Sequence, residues 1–236
     1  MQKLFLVVFF SCCHLFSFAQ SGVSGDTLIT PDPENTFSAN WQIRYGDGRI
    51  RMAGKMLNQK KEGIWRFYTA KGTLERLDEY HADKLNGIHL HFSENGALEE
   101  EENYKEDVLH GLKNVYRYGA TLLLTENYNN GKLDGNRFEY YETGKLKERA
   151  SYKNGLRDGI TIWYKQDELP SIQYTYVTGQ LDGPAIFYEK GKVQSQGVYK
   201  NGNEEGEWKV YEDGMLLKTI FYKDGKVIKE VAARKK

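Results

Sequence analysis

Residues 128–159 read YNNGKLDGNRFEYYETGKLKERASYKNGLRDG. Tyr128 precedes the pair Asn130-Gly131, and a further glycine follows at Gly135. An aromatic stands five residues on at Tyr140, a second turn pair comes at Thr143-Gly144, and the series restarts at Tyr152, Asn154-Gly155 and Gly159. Working outward, the landmark glycine recurs at Gly63, Gly87, Gly111, Gly135, Gly159, Gly183 and Gly206, in steps of 24 residues with a last step of 23. Tyr68, Phe92, Tyr116, Tyr140, Tyr164, Tyr188 and Tyr211 follow these glycines by five residues. Tyr80, Tyr104, Tyr128, Tyr152, Tyr176, Tyr199 and Tyr222 hold a second fixed place, so that 13 of the 17 tyrosines fall on two positions of one lattice. Asn-Gly and Asp-Gly accept the positive φ that tight hairpin turns require. Between turns, Ile160, Ile162 and Tyr164 alternate with Thr161 and Trp163, and Ile88, Leu90 and Phe92 alternate with His89 and His91. A period of two is the signature of strands. Each copy is therefore a β-hairpin, and the chain is an all-β meander of about seven 24-residue hairpin repeats over 63–225. A hairpin this short cannot bury its own apolar side, so it depends on stacked neighbours.

The departures carry expectations of their own. Gly119 comes one place early, and Gln166-Asp167-Glu168-Leu169-Pro170 replaces a turn glycine. Pro170 cannot donate to a ladder, which predicts a wider turn and an irregular strand there. Residues 41–62 read as a degenerate N-terminal cap repeat, residues 20–40 as a flexible leader without periodicity, and residues 226–236 as a basic tail forming a capping strand or short helix. Residues 1–19 have the layout of a secretory signal: Lys3, the apolar run Leu4–Phe10, and small residues at Ser17 and Ala19. A membrane anchor and an acylated Cys12 or Cys13 are the alternatives. Export places the mature chain in the periplasm, on the cell surface or in the medium. Both cysteines lie in this segment, so a mature chain from Gln20 has neither disulfides nor thiolate chemistry.

Charge excludes one broad class. Lys+Arg and Asp+Glu are each 33, which lacks the positive excess of a general nucleic-acid binder. Zero net charge also argues against a simple electrostatic attachment to anionic lipid. No G-x-S-x-G, P-loop, dinucleotide-binding glycine fingerprint or H-E-x-x-H occurs. The glycines punctuate hairpins and do not lead into helices, so they offer no phosphate cradle. His89 and His91, two apart on a strand, would share a face and could ligate a metal, but no third ligand has a recognisable spacing. The run Glu99-Glu100-Glu101-Glu102 could bind calcium or serve acid–base chemistry; as an exposed run it fits cross-strand pairing with nearby lysines or a solvated rim. The reading is of a non-enzymatic chain with no cofactor and no metal.

Segments such as Gly63-Ile64-Trp65-Arg66-Phe67-Tyr68 with Gly72-Thr73-Leu74, followed by connections such as Tyr152-Lys153-Asn154-Gly155-Leu156-Arg157-Asp158-Gly159, resemble the MORN-repeat variant. Its pattern is roughly G-x-W-x-x-Y-x-x-x-G-x-L, then a tyrosine and N-G-x-x-x-G. The resemblance runs from about Trp41 to Val227. The tryptophan place is kept at Trp65 and Trp208 and taken elsewhere by His89, Lys113, Arg137, Thr161 and Ala185. The resemblance implies an elongated, twisted, single-layer antiparallel sheet. One face should collect Ile64, Leu90, Phe138, Ile162 and Ile186; the other should collect Trp65, Phe67, Val115, Trp163, Phe187, Trp208 and Val210. Aromatic, amphipathic surfaces are typical anchors for partners. The expected function is an exported repeat scaffold binding a protein or cell-envelope component, with Trp65, Phe67, Trp163, Phe187 and Trp208 as candidate contact residues. Proteins built wholly of this repeat are often labelled YwqK-family antitoxins, so an antitoxin or immunity role is the alternative. Membrane-surface attachment is a third.

Overall fold

The computed structural model describes residues 27–233. They form one open antiparallel sheet of 22 strands, with no helix. Pairing follows chain order, from Thr27–Asp32 against Asn35–Arg44 at one end to Met215–Lys223 against Lys226–Ala232 at the other. The fold is an elongated β-meander. Four strands are two residues long: Val108–Leu109, Lys132–Leu133, Leu156–Arg157 and Gln180–Leu181. Each runs into the next strand after one residue. The N–H of that residue still reaches across the sheet, as from Asp134 to the Asn127 carbonyl at 2.8 Å and from Asp158 to the Ser151 carbonyl at 2.9 Å.

The lattice glycines have a second task beyond marking turns. Gly87, Gly111, Gly135, Gly159 and Gly183 lie near strand starts with φ between 103° and 129°, a region closed to side chains with a Cβ. Each stands opposite a lattice tyrosine: Gly87 opposite Tyr104, Gly135 opposite Tyr152, Gly159 opposite Tyr176. Glycine and tyrosine are therefore two halves of one cross-strand pair.

The tight turns also tie one hairpin to its predecessor. The N–H of Gly131, Gly155, Gly179 and Gly202 donates to the carbonyls of Leu109, Leu133, Arg157 and Leu181, at 2.7 to 2.8 Å. Asp134 and Asp158 accept from the backbone of Asn154 and Thr178, each at 3.1 Å. Three such turns contain no glycine: Asn58-Gln59, Ala82-Asp83 and Glu106-Asp107 all have positive φ at both places. Left-handed backbone costs roughly 1–2 kcal/mol per residue without glycine. Two of these turns recover part of that through an exchange of hydrogen bonds. Asp83 donates its N–H to the Lys61 carbonyl and accepts the Lys61 N–H on its carboxylate, at 3.1 and 2.6 Å, and Asp107 does the same with Leu85.

Two expectations change, and one open alternative is resolved. Residues 20–40 are not an unstructured leader throughout, because Thr27–Asp32 and Asn35–Arg44 form an antiparallel hairpin. The turn at Lys165–Leu169 is no wider than its counterparts. Its Lys165 N–H to Leu169 carbonyl bond (2.9 Å) matches Thr69 to Thr73 (2.9 Å), and Glu168 takes the positive φ that glycine takes elsewhere. Pro170 sits at the first place of its strand, where its missing N–H does no damage. Lys226–Ala232 is a strand, which settles the capping element as sheet. The signal, anchor and acylation readings of residues 1–19 lie outside the described residues.

Candidate interaction face

All large fully buried side chains lie on one face of the sheet. Trp65 is 2% exposed, Asp78 1% and Thr161 0%. They belong to a row that crosses the strands. Trp41 stands opposite Gly54, Trp65 opposite Asp78, and Asp78 in turn opposite His89. The row continues through His89 with Glu102, Lys113 with Glu126, and Arg137 with Ala150. It ends in Thr161 with Tyr174, Ala185 with Gly197, and Trp208 with Ile220. Neighbours compensate one another. A Cβ added at Gly54 would fall within the Trp65 indole, and one at Gly197 within that of Trp208. Where the tryptophan place holds His89, Lys113 or Arg137, a neighbouring place in the row holds a carboxylate. Where it holds Thr161 or Ala185, Tyr174 stands beside it in the row, and Arg157 donates to the Thr161 hydroxyl at 3.1 Å.

The middle of the row is ionic. His89 Nδ1 lies 2.7 Å from Asp78, and Lys113 Nζ lies 2.6 Å from Glu102. Arg137 reaches Glu126 and Glu139 at 3.1 Å each and also binds Glu148, which Arg157 grips from the other side at 2.6 Å. The lattice tyrosines complete the pattern. Tyr80, Tyr104 and Tyr128 donate to the carboxylates two residues before them, Asp78, Glu102 and Glu126, at 2.8 to 2.9 Å. Burial alone would raise the Glu102 carboxyl, but hydrogen bonds from Lys113 and Tyr104 and the lysine charge outweigh it and hold it below its ordinary value. Burial and the Glu102 hydrogen bond push the Tyr104 phenol up to about 12, and Tyr128 rises to about 12 by burial and Glu126.

The last third of the row is aromatic. Tyr174 meets Trp163, Tyr176, Phe187 and Tyr199 edge-on, with ring centroids 5.6 to 6.3 Å apart. Trp208 continues the series to Tyr199 at 5.2 Å and Tyr222 at 5.9 Å. Arg157 joins the two stretches: its guanidinium lies 5.3 Å from the Trp163 ring and 5.6 Å from that of Tyr176. At the other end a smaller cluster places Lys61 over Tyr80, Trp65 and Phe67 at 4.6 to 5.4 Å, where burial lowers the lysine pKa.

The five candidate contact residues thus separate. Trp65 and Trp208, at 2% and 6% exposure, are packing residues over Gly54 and Gly197 and offer little surface to a partner. Phe67, Trp163 and Phe187 are half-buried and reachable. Trp163 and Phe187 share one aromatic stretch, whereas Phe67 lies beyond the ionic stretch. Sequence reasoning missed Tyr174, the hub of the edge contacts, although it occupies the same 24-residue position as the row carboxylates. The acidic run pairs across strands as expected: Glu101 accepts from Asn114 and Tyr116, and Glu99 lies 3.5 Å from His91. Glu102, however, is buried rather than exposed. Among the described residues no group of three or more His, Cys, Asp or Glu is placed to hold a metal.

A family model of the MORN repeat variant matches residues 85–106, 133–154 and 181–201. These three segments are MORN-variant repeats. Each takes in a landmark glycine (Gly87, Gly135, Gly183) and the tyrosine opposite it (Tyr104, Tyr152, Tyr199). The repeats between them have the same geometry. Such repeats typically build non-catalytic modules that bind proteins or membranes, and the chain has the build of a repeat scaffold. No curated protein matches the chain. Among the described residues no helix is long and apolar enough to cross a membrane.

Proposed function

We propose that the chain is an exported, non-enzymatic scaffold that binds a protein of the cell envelope through its aromatic stretch. One observation carries this reading. Trp163, Tyr174, Phe187 and Tyr199 form a continuous half-buried aromatic surface with no second layer of the described chain over it. Rigid aromatic rings of this kind lose little conformational entropy on binding and present both an apolar body and polar tips. Export is supported by the layout of residues 1–19. The test places a photo-crosslinking residue at Phe187 and, as control, at Ile186 on the opposite face, and identifies the adduct in the cell envelope. The identified partner is then titrated against purified protein. Trp163→Ala with Phe187→Ala should weaken binding roughly tenfold or more, about 1.4 kcal/mol or above, with the circular dichroism spectrum unchanged. Equal affinity of variant and parent, or equal crosslinking from both faces, overturns the proposal.

A further inference from the structure

The two ends of the meander differ from its middle. Among the described residues, Thr27–Asp32 and Lys226–Ala232 each pair on one side alone. An open strand edge presents unpaired N–H and C=O groups and templates a further strand. Both edge strands carry exposed apolar side chains. Leu28 is 50% exposed, Ile228 64% and Val231 42%, and all of Lys226–Ala232 is exposed. The charges are complementary. The last hairpin carries Lys218, Lys223, Lys226 and Lys229 against Asp224 and Glu230, while the first edge carries Asp32 and Glu34. With each two-residue strand counted together with the one it enters, the first and last strands run in opposite directions. The end of one chain can therefore meet the start of another in the antiparallel sense used throughout the sheet.

From this we infer that the partner of these edges is a second copy of the same chain, joined head to tail so that one sheet continues into the next. The register follows from the row. Ile29 stands opposite Trp41 and Glu230 opposite Ile220, so continuation places Glu230 beside the next copy's Ile29. Val231 then stands beside Leu28, and Lys229 beside Thr30, two residue pairs from Asp32 and on the same face as it. The apolar pair removes two exposed side chains from water, and the lysines meet the acidic edge. Pairing of the last edge with its own copy is disfavoured. Centred on the strand, it sets Lys229 opposite Lys229, and like charges directly opposite destabilise a sheet. Head-to-tail contacts do not use up both ends of a pair, so association continues into rings or filaments.

Sedimentation velocity of the purified full-length product, as processed by the expressing cells, tests this across a concentration series. The parent chain should grow beyond a dimer with concentration. Lys226→Glu with Lys229→Glu blocks one end, and Asp32→Lys with Glu34→Lys blocks the other. Each variant alone should remain monomeric, with association weakened roughly tenfold or more. Mixing a chain blocked at its start with one blocked at its end should restore growth beyond a dimer, because the parent edges match each other and the two reversed edges are again opposite in charge; a mixture that stays monomeric overturns the inference. A parent chain that stays monomeric to its solubility limit overturns the inference. So does a chain blocked at one end that still dimerises with itself. Partner binding by the aromatic stretch is untouched by these edge changes, so the two readings fail independently.

Discussion

The ionic stretch from Asp78 to Arg157 and the aromatic stretch from Trp163 to Tyr222 share one backbone. Both have the glycine–tyrosine pair, the tight turn tied to the preceding hairpin, and the same row positions on the same face. They differ in what fills the row. One stretch alternates cations with carboxylates capped by tyrosine hydroxyls; the other stacks rings edge to edge. The repeat thus fixes a frame, and the row is a separate filling whose neighbours need only match in volume or charge. In a single-layer sheet the filling cannot be supplied by a second layer, so each row side chain is covered by the ones on adjacent strands.

The largest effect should come from unbalancing the ionic filling. Arg137→Met keeps length and loses charge, leaving Glu126, Glu139 and Glu148 around one vacated site. Breaking a buried pair from one side costs about 3–5 kcal/mol. Chemical denaturation should show that loss at neutral pH and a partial recovery on acidification, the reverse of the parent. A neutral-pH loss below about 1 kcal/mol would mean that the ionic stretch is decoration on the frame. The next effect tests volume matching in the aromatic stretch. Gly197→Ala forces a methyl into the Trp208 ring, an overpacking expected to cost about 1–3 kcal/mol. Gly46→Ala, with open space around it, should stay within about 0.5 kcal/mol. The smallest effect is the joint replacement Glu102→Leu with Lys113→Met. An apolar pair in place of a buried ion pair is often near neutral, whereas either change alone leaves an unpaired charge. A thermal unfolding cycle should show strong non-additivity; additive losses would show that the two residues do not act as a pair.

Much of this frame was legible in the sequence because it repeats at one step. The 24-residue spacing of Gly87 and Tyr104 with their counterparts gave hairpins in chain order, and the alternation of Ile160, Ile162 and Tyr164 gave the strands. Burial was not legible. Alternation assigns a face, but in one layer the depth of Trp65 is set by Gly54, eleven residues back across a turn, and that of Trp208 by Gly197. Two of the five candidate contact residues, Trp65 and Trp208, are therefore packing residues. Asp78, Glu102 and Glu126 sat on the same step as the glycines, and His89, Lys113 and Arg137 on the step of Trp65. Reading those two columns against each other exposes the ionic row. The turns at Ala82-Asp83 and Glu106-Asp107 escaped notice because their backbone is held by an aspartate bonding the previous hairpin, a signal spread over about 22 residues.

The claim that the filling sets local stability on a shared frame is tested most directly by native-state hydrogen exchange, followed as protection factors during acidification. Glu102 and Glu139 have pKa values held below the ordinary 4.5, Glu102 as described and Glu139 chiefly by its hydrogen bond from Lys147. Their stabilisation is present above that value and is lost as pH falls through the lowered one. Amides of Leu98–Lys105, Gly111–Arg117 and Gly135–Tyr140 should lose protection below about pH 4.5 while those of Gly183–Glu189 and Asn203–Glu212 keep theirs. Protection that falls together along the whole sheet, or fails first in the aromatic stretch, would contradict the account.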